Sequence, residues 1–187
     1  GSSQFITLAD GSEIHVRDEG NKSGKILVMV HGFNGSLFNY EPLVSYLSKE
    51  YRLISLDLPA HGLTGAVNSD LYNQEEYERV IEEVVEILEI NKFYLVGHSM
   101  GGMIAWRYAL SNLDQLKGLI IIGSAFFANE QEFNNFQSMN APPLAFELIE
   151  SKFFIRLLEF LTPRILVKEG VSQTVYDQSI VTDELVD

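Results

Sequence analysis

Short apolar runs alternate with longer amphipathic stretches over residues 4–124, and the two periods predict strands and helices in turn. Gln4–Leu8 and Glu13–Arg17 flank Asp10-Gly11, a dipeptide that closes β-hairpins. Lys25–Val30 is continuously apolar from Ile26 onward, as a strand covered on both faces must be. A glycine-bearing loop, His31–Ser36, follows it. A helix is predicted over about 40–49, and Arg52–Leu56 reads as a further buried strand ending at Asp57-Leu58-Pro59. Between Asn73 and Ile90, the residues Tyr77, Val80, Ile81, Val84, Val85 and Leu88 recur at helical spacing. Glu75, Glu78, Glu82, Glu86 and Glu89 fall on the other side. Asn73 and Glu76 are spaced as in a capping box, with Asn in place of the usual Ser or Thr. Phe93–Val96 predicts a strand, Met100–Leu110 a helix and Leu116–Ile122 another strand.

This order predicts an α/β fold, a mostly parallel sheet preceded by an N-terminal β-hairpin. Past Phe126 the alternation stops. Ala145–Leu161, rich in Phe and Leu, reads as one or two helices, Glu130–Asn140 as another and Thr182–Val186 as the beginning of one. The chain therefore divides into a core over residues 4–124 and a helical segment over residues 125–187. No internal repeat or low-complexity tract interrupts it.

Composition narrows the function classes. The chain has 187 residues, 46% of them hydrophobic and 21% charged, which suits a folded domain with a core. A net charge of −13 argues against nucleic acids and anionic membrane surfaces as partners, because both are bound through Lys and Arg. There is no cysteine, so disulfides, thiolate metal sites and a cysteine nucleophile are excluded. Gly1-Ser2-Ser3 has the composition of a tag remnant. No signal peptide and no apolar run of membrane-spanning length is legible, and a cytoplasmic location is the expectation. The glutamates of residues 73–90 form a long stripe, the mark of a solvated face rather than a metal site, and no nucleotide-binding glycine pattern occurs. No cofactor or metal is expected.

The candidate chemistry lies in Gly97-His98-Ser99-Met100-Gly101. It reads G-x-S-x-G between a predicted strand and a predicted helix, a context that lifts the serine hydroxyl on a sharp turn. Gly97 and Gly101 allow backbone to approach backbone where a side chain would clash. At the start of a helix the Met100 amide and the helix dipole favour a developing anion. His31-Gly32-Phe33, after the strand Lys25–Val30, offers the Phe33 amide as a second donor. The candidate set is thus Ser99 as nucleophile and the Phe33 and Met100 amides as an oxyanion hole, with His31, Gly32, Gly97, His98 and Gly101 forming the site.

Three motifs in order carry a resemblance: His31-Gly32-Phe33, Asp57-Leu58-Pro59-Ala60-His61-Gly62-Leu63-Thr64 and Gly97-His98-Ser99-Met100-Gly101-Gly102. With them the chain resembles the lid-bearing serine hydrolases of the α/β-hydrolase superfamily, a group of esterases, lactonases and C–C bond hydrolases. The resemblance implies a hydrolase that opens a small ester, thioester or lactone through an acyl-enzyme. It makes residues 125–187 an incomplete lid and Asp57 a structural acid, and it packs His98 against the sheet. A serine at position 99 argues against the haloalkane dehalogenase branch. The family's triad acid and histidine stand after the nucleophile. None of the four histidines, His15, His31, His61 and His98, follows Ser99, and Gly123-Ser124 stands where some relatives carry the acid. The chain is accordingly expected to be an N-terminal portion, without the last sheet strands, inactive alone, and associating with a copy of itself or with its missing part. Among the histidines, His61 is the best substitute base, His31 a structural residue, and His15 lies on the hairpin away from the chemistry. The alternative is a scaffold without catalysis, serving as a small-molecule binder or assembly protein.

Overall fold

The Asp10-Gly11 turn closes the first hairpin through bonds from the Leu8 amide to the Ser12 carbonyl (2.8 Å) and from the Gly11 amide to the Leu8 carbonyl (2.9 Å). The structure, a computed structural model, describes residues 2–124. The strands are β1 (Ser2–Thr7), β2 (Glu13–Gly20), β3 (Lys25–Val30), β4 (Tyr51–Leu56), β5 (Phe93–His98) and β6 (Leu116–Ile122). The helices are α1 (Glu41–Leu47), α2 (Gln74–Ile87) and α3 (Met100–Ser111). β1 includes Ser2 and Ser3, and Ser3 pairs with Arg17 of β2.

The sheet order is β1-β2-β4-β3-β5-β6. β2 runs antiparallel to both β1 and β4, and the remaining pairs are parallel. The α/β architecture is the one that the alternation predicted. The chain steps from β3 outward to β4, then returns to the far side of β3 with β5. That reversal opens a crevice at the C-terminal ends of β3 and β5, where ligands of open α/β sheets bind.

The period of two along β3 explains its continuous apolarity. Val28 and Val30 enter one core, with Val80, Ile81, Val84 and Val85 of α2 and Ile104 and Tyr108 of α3. Leu27 and Met29 point to the opposite face, where Tyr40, Leu53 and Val96 pack with Val44 and Leu47 of α1. A strand buried on both sides has no room for a polar alternation.

Among the strands, β1 is shifted to Ser2–Thr7, β2 runs on to Gly20 and β5 to His98, and two helices differ more from the sequence reading. The helix expected over about 40–49 is a 3₁₀ turn, Leu37–Tyr40, followed by the shorter α1. Pro42 in the first turn of α1 has no amide to donate, so a longer helix would lose a bond there, and the Glu41 amide closes on the Phe38 carbonyl instead. The Asn73–Ile90 helix ends at Ile87. Glu89 adopts φ 55°, and the amides of Glu89 and Ile90 return to the carbonyls of Glu86 and Val85, a Schellman-type stop. Asn73 caps α2 by accepting the Glu76 amide at 3.0 Å, but Glu76 does not complete a capping box. Its buried carboxylate accepts from Ser69 (2.7 Å) and Arg79 (2.6 and 2.9 Å). β6 pairs with β5, and Ile120 and Ile122 on it remain half-exposed among the described residues. The expected helical lid over residues 125–187 lies outside the described residues.

Candidate active site

β5 passes into α3 at a single residue, Ser99, which takes φ 52° and ψ −121°. A non-glycine residue there is strained by its own Cβ, and such strain persists only where neighbouring structure over-determines it. Close backbone packing supplies that constraint. A Cβ on Gly97 would lie 2.2 Å from the Gly101 carbonyl oxygen, and one on Gly101 would lie 2.2 Å from the carbonyl oxygen of Val30. The first turn of α3 therefore rests on the end of β3. A Cβ on Gly32 would come within 2.9 Å of the Ser99 Cβ and 3.2 Å of the His98 Nδ1. Gly32 is thereby brought to His98 and Ser99, far from it in sequence.

The amides at this junction divide their work. Ser99 N–H donates to the Ile122 carbonyl at 2.9 Å, while the Gly102 and Met103 amides donate to the Ser99 carbonyl at 2.8 and 3.3 Å. Met100 and Gly101 head the helix, where amides have no intrahelical acceptor and the dipole is positive. The Ser99 hydroxyl does not cap α3. The His98 ring lies between the Gly32 loop and the end of β6, 4.0 Å from where a Gly123 Cβ would stand.

His31 is fully buried beneath the Gly32-Phe33 segment. Its Nε2 accepts from the Leu58 amide at 3.0 Å, so the proton sits on Nδ1, which donates to the Gly32 carbonyl at 2.7 Å. Burial lowers the His31 pKa, against the opposing effect of the Gly32 bond. The ring thus ties the loop bearing Phe33 to the loop after β4. His61 packs on it at 5.1 Å between centroids, and the exposed Phe33 ring meets His61 edge-on at 6.2 Å. His61 directs Nδ1 to the Pro59 carbonyl at 2.9 Å. Among the described residues none of the four histidines hydrogen-bonds to Ser99.

Asp57 is fully buried and wholly engaged. Oδ1 accepts from the Leu37 amide (2.7 Å), and Oδ2 accepts from the Leu63 amide (2.8 Å) and from His15 Nδ1 (2.7 Å). Thr64 joins the cluster, donating its hydroxyl to the Asp57 carbonyl and accepting the His15 amide, both at 2.9 Å. His15 lies on the hairpin as expected and does not bond Ser99, but it has a structural role that the sequence did not show. It is fully buried and anchors the Asp57 loop, because β2 lies between β1 and β4 and is not a free edge. Ser3 of β1 meets its Nε2 on the other side. A lone histidine on a short strand carries no sequence mark of such a role. An open groove of about 350 Å³ runs between residues 34–39 and 60–62, beside Phe33, and Ser99 does not line it. Among the described residues no cluster of three His, Cys or carboxylate ligands is assembled, and no helix is long and apolar enough to cross a membrane.

Comparison with known proteins agrees with the fold. The family model described as alpha/beta hydrolase fold matches residues 25–153. An uncharacterized hydrolase of Bacillus subtilis is 26% identical over 95% of this chain and 62% of its own length. The solved esterase of Exiguobacterium antarcticum is 30% identical, with a TM-score of 0.62 over 70% of this chain and 50% of that one. A meta-cleavage product hydrolase superimposes with a TM-score of 0.72 over 98% of this chain and 60% of that one, at 24% identity, a likeness of fold. The chain spans about half the length of the relatives it matches.

Proposed function

The chain belongs to the α/β-hydrolase fold family, and on that premise we propose that it carries the nucleophile and oxyanion half of a serine hydrolase. The substrate class is a small ester, thioester or lactone. The observation that carries this reading is the Ser99 backbone, held at φ 52° between β5 and α3 with Gly32 against it. The name of the 30%-identical esterase supports the same chemistry.

In this mechanism the Ser99 Oγ adds to the substrate carbonyl carbon, and its proton passes to a general base. The carbonyl electrons move onto oxygen, and the amides of Phe33 and Met100 receive that oxyanion. Collapse expels the alcohol or thiol, which takes the proton back, and leaves an acyl group on Ser99. Water then opens the acyl-enzyme by the same steps. We assign the base and its orienting acid to a part of the protein outside residues 2–124. Asp57 is excluded from the acid's role, since both of its oxygens hold structural donors.

A fluorophosphonate probe tests this on the full-length protein. Covalent labelling of Ser99, abolished in Ser99→Ala along with ester hydrolysis, is the expected result. Hydrolysis that survives in Ser99→Ala overturns the proposal. Ligand binding without any labelling would favour a non-catalytic scaffold.

A further inference from the structure

Tyr40 ends the 3₁₀ turn Leu37–Tyr40 and is 4% exposed, its ring packed among Leu27, Met29, Leu53 and Val96. Its hydroxyl, however, does not merely fill the core. It donates to the carbonyl of Val30, the last residue of β3, at 2.8 Å. The amide of His98, the last residue of β5, lies close to the same oxygen. Burial drives the phenol far above its ordinary pKa, with the His98 amide working in the other direction, so the group stays a neutral hydroxyl able to donate to Val30. Val30 pairs with Gly97 at the last rung before β3 and β5 part, where the sheet order reverses, and His98 is the next residue along β5. Beyond Val30 the chain reaches Phe33, and beyond His98 it reaches Ser99 and Met100.

We propose that the Tyr40 hydroxyl is a positioning residue for the reaction, clamping the ends of β3 and β5 so that the Phe33 and Met100 amides face one oxyanion. This rests on the serine hydrolase reading of the site. The turn that carries Tyr40 is itself anchored, because the Leu37 amide bonds the buried Asp57 carboxylate at 2.7 Å and Asn39 Oδ1 accepts the Ser36 amide at 2.8 Å. The hydroxyl is therefore delivered from a fixed point onto the two loops that must agree. A donor misplaced by a fraction of an ångström binds the ground-state carbonyl almost as well but stabilises the oxyanion less. The clamp should act on kcat more than on KM.

The test compares Tyr40→Phe, which removes only the hydroxyl, with Tyr40→Leu, which also removes the ring. It uses the full-length protein, with p-nitrophenyl acetate as substrate and Ser99→Ala as control. In Tyr40→Phe, kcat is expected to fall about ten-fold with KM unchanged. The His98 amide is expected to exchange its hydrogen about ten-fold faster while the β-sheet core keeps its protection. Tyr40→Phe matching the wild type, with only Tyr40→Leu impaired, would reduce Tyr40 to packing and overturn the proposal. A rise in KM at constant kcat would overturn it too. If Ser99→Ala hydrolyses as fast as the wild type, the serine hydrolase reading fails. Amide exchange then judges the clamp alone, unchanged His98 protection refuting it and lost protection supporting it.

Discussion

His15 and Asp57 form a fully buried pair, Nδ1 to Oδ2 at 2.7 Å, that joins β2 to the loop leaving β4. The pair sits one layer behind the candidate site. Asp57 fixes the Leu37 turn as well, and that turn presents Tyr40.

Replacing Asp57 with Ala would strand two buried donors, the Leu37 amide and the His15 ring, and the partly buried Leu63 amide. Losses of this kind cost about 3–5 kcal/mol. Urea unfolding of Asp57→Ala should show an unfolding free energy lower by that amount. A shift below about 1 kcal/mol would mean that water or a rearranged loop satisfies those donors.

His31 makes stability depend on pH. Its folded pKa is lowered, chiefly by burial, with the Gly32 bond and Asp57 opposing and His61 reinforcing the shift. The unfolded chain therefore binds the proton more readily. The contribution of the neutral ring is fully present above about pH 6.5 and is lost as pH falls through the lower folded value, below which the slope vanishes. Unfolding free energy measured between about pH 8 and about pH 5 should decline in the wild type and decline less in His31→Gln. Equal slopes in both proteins would assign the effect elsewhere.

Gly101 and Gly65 make a matched pair. A Cβ on Gly101 would lie 2.2 Å from the Val30 carbonyl oxygen, whereas nothing lies within 4 Å of one on Gly65. Gly101→Ala should cost about 2 kcal/mol or more and slow Ser99 labelling, while Gly65→Ala should stay within about 0.5 kcal/mol of wild type. Equal behaviour of the two in thermal melts would contradict the close approach of α3 to β3.

Strain at Ser99 predicts a gain on its removal. At φ 52° and ψ −121° a glycine is unhindered, so Ser99→Gly should stabilise the fold by about 1–2 kcal/mol. It should also end labelling by a fluorophosphonate. A destabilised Ser99→Gly would show that the hydroxyl or Cβ contributes more to the fold than the backbone conformation costs.

Much of the fold was legible because its signals are local. Val80, Ile81, Val84 and Val85 mark a helix by spacing alone, and the run from Ile26 to Val30 marks a doubly covered strand. Element ends were less legible. Pro42 and the left-handed Glu89 shortened two helices through bonds that depend on the backbone beyond the apolar pattern. At the site, the G-x-S-x-G string predicted a sharp strand-to-helix turn at Ser99, and the structure adds its strained backbone. His15 and Tyr40 escaped notice for one reason. Their partners stand 42 and 10 residues away, and neither residue type at its position differs from an ordinary strand or helix residue.

By itself the amino-acid order determined the alternation of strands and helices, the absence of any thiol chemistry, and the one serine placed between a strand and a helix. These follow from periodicity, composition and a five-residue string, all of which act within a few residues. Only the tertiary structure decided that Gly32 lies against Ser99, that His15 is buried on Asp57, and that the Tyr40 hydroxyl bonds the end of β3. The first and last of these contacts arise where the sheet order reverses and the second where β2 meets β4, and strand order depends on which pairings bury the most apolar surface across the whole sheet, which no local window contains.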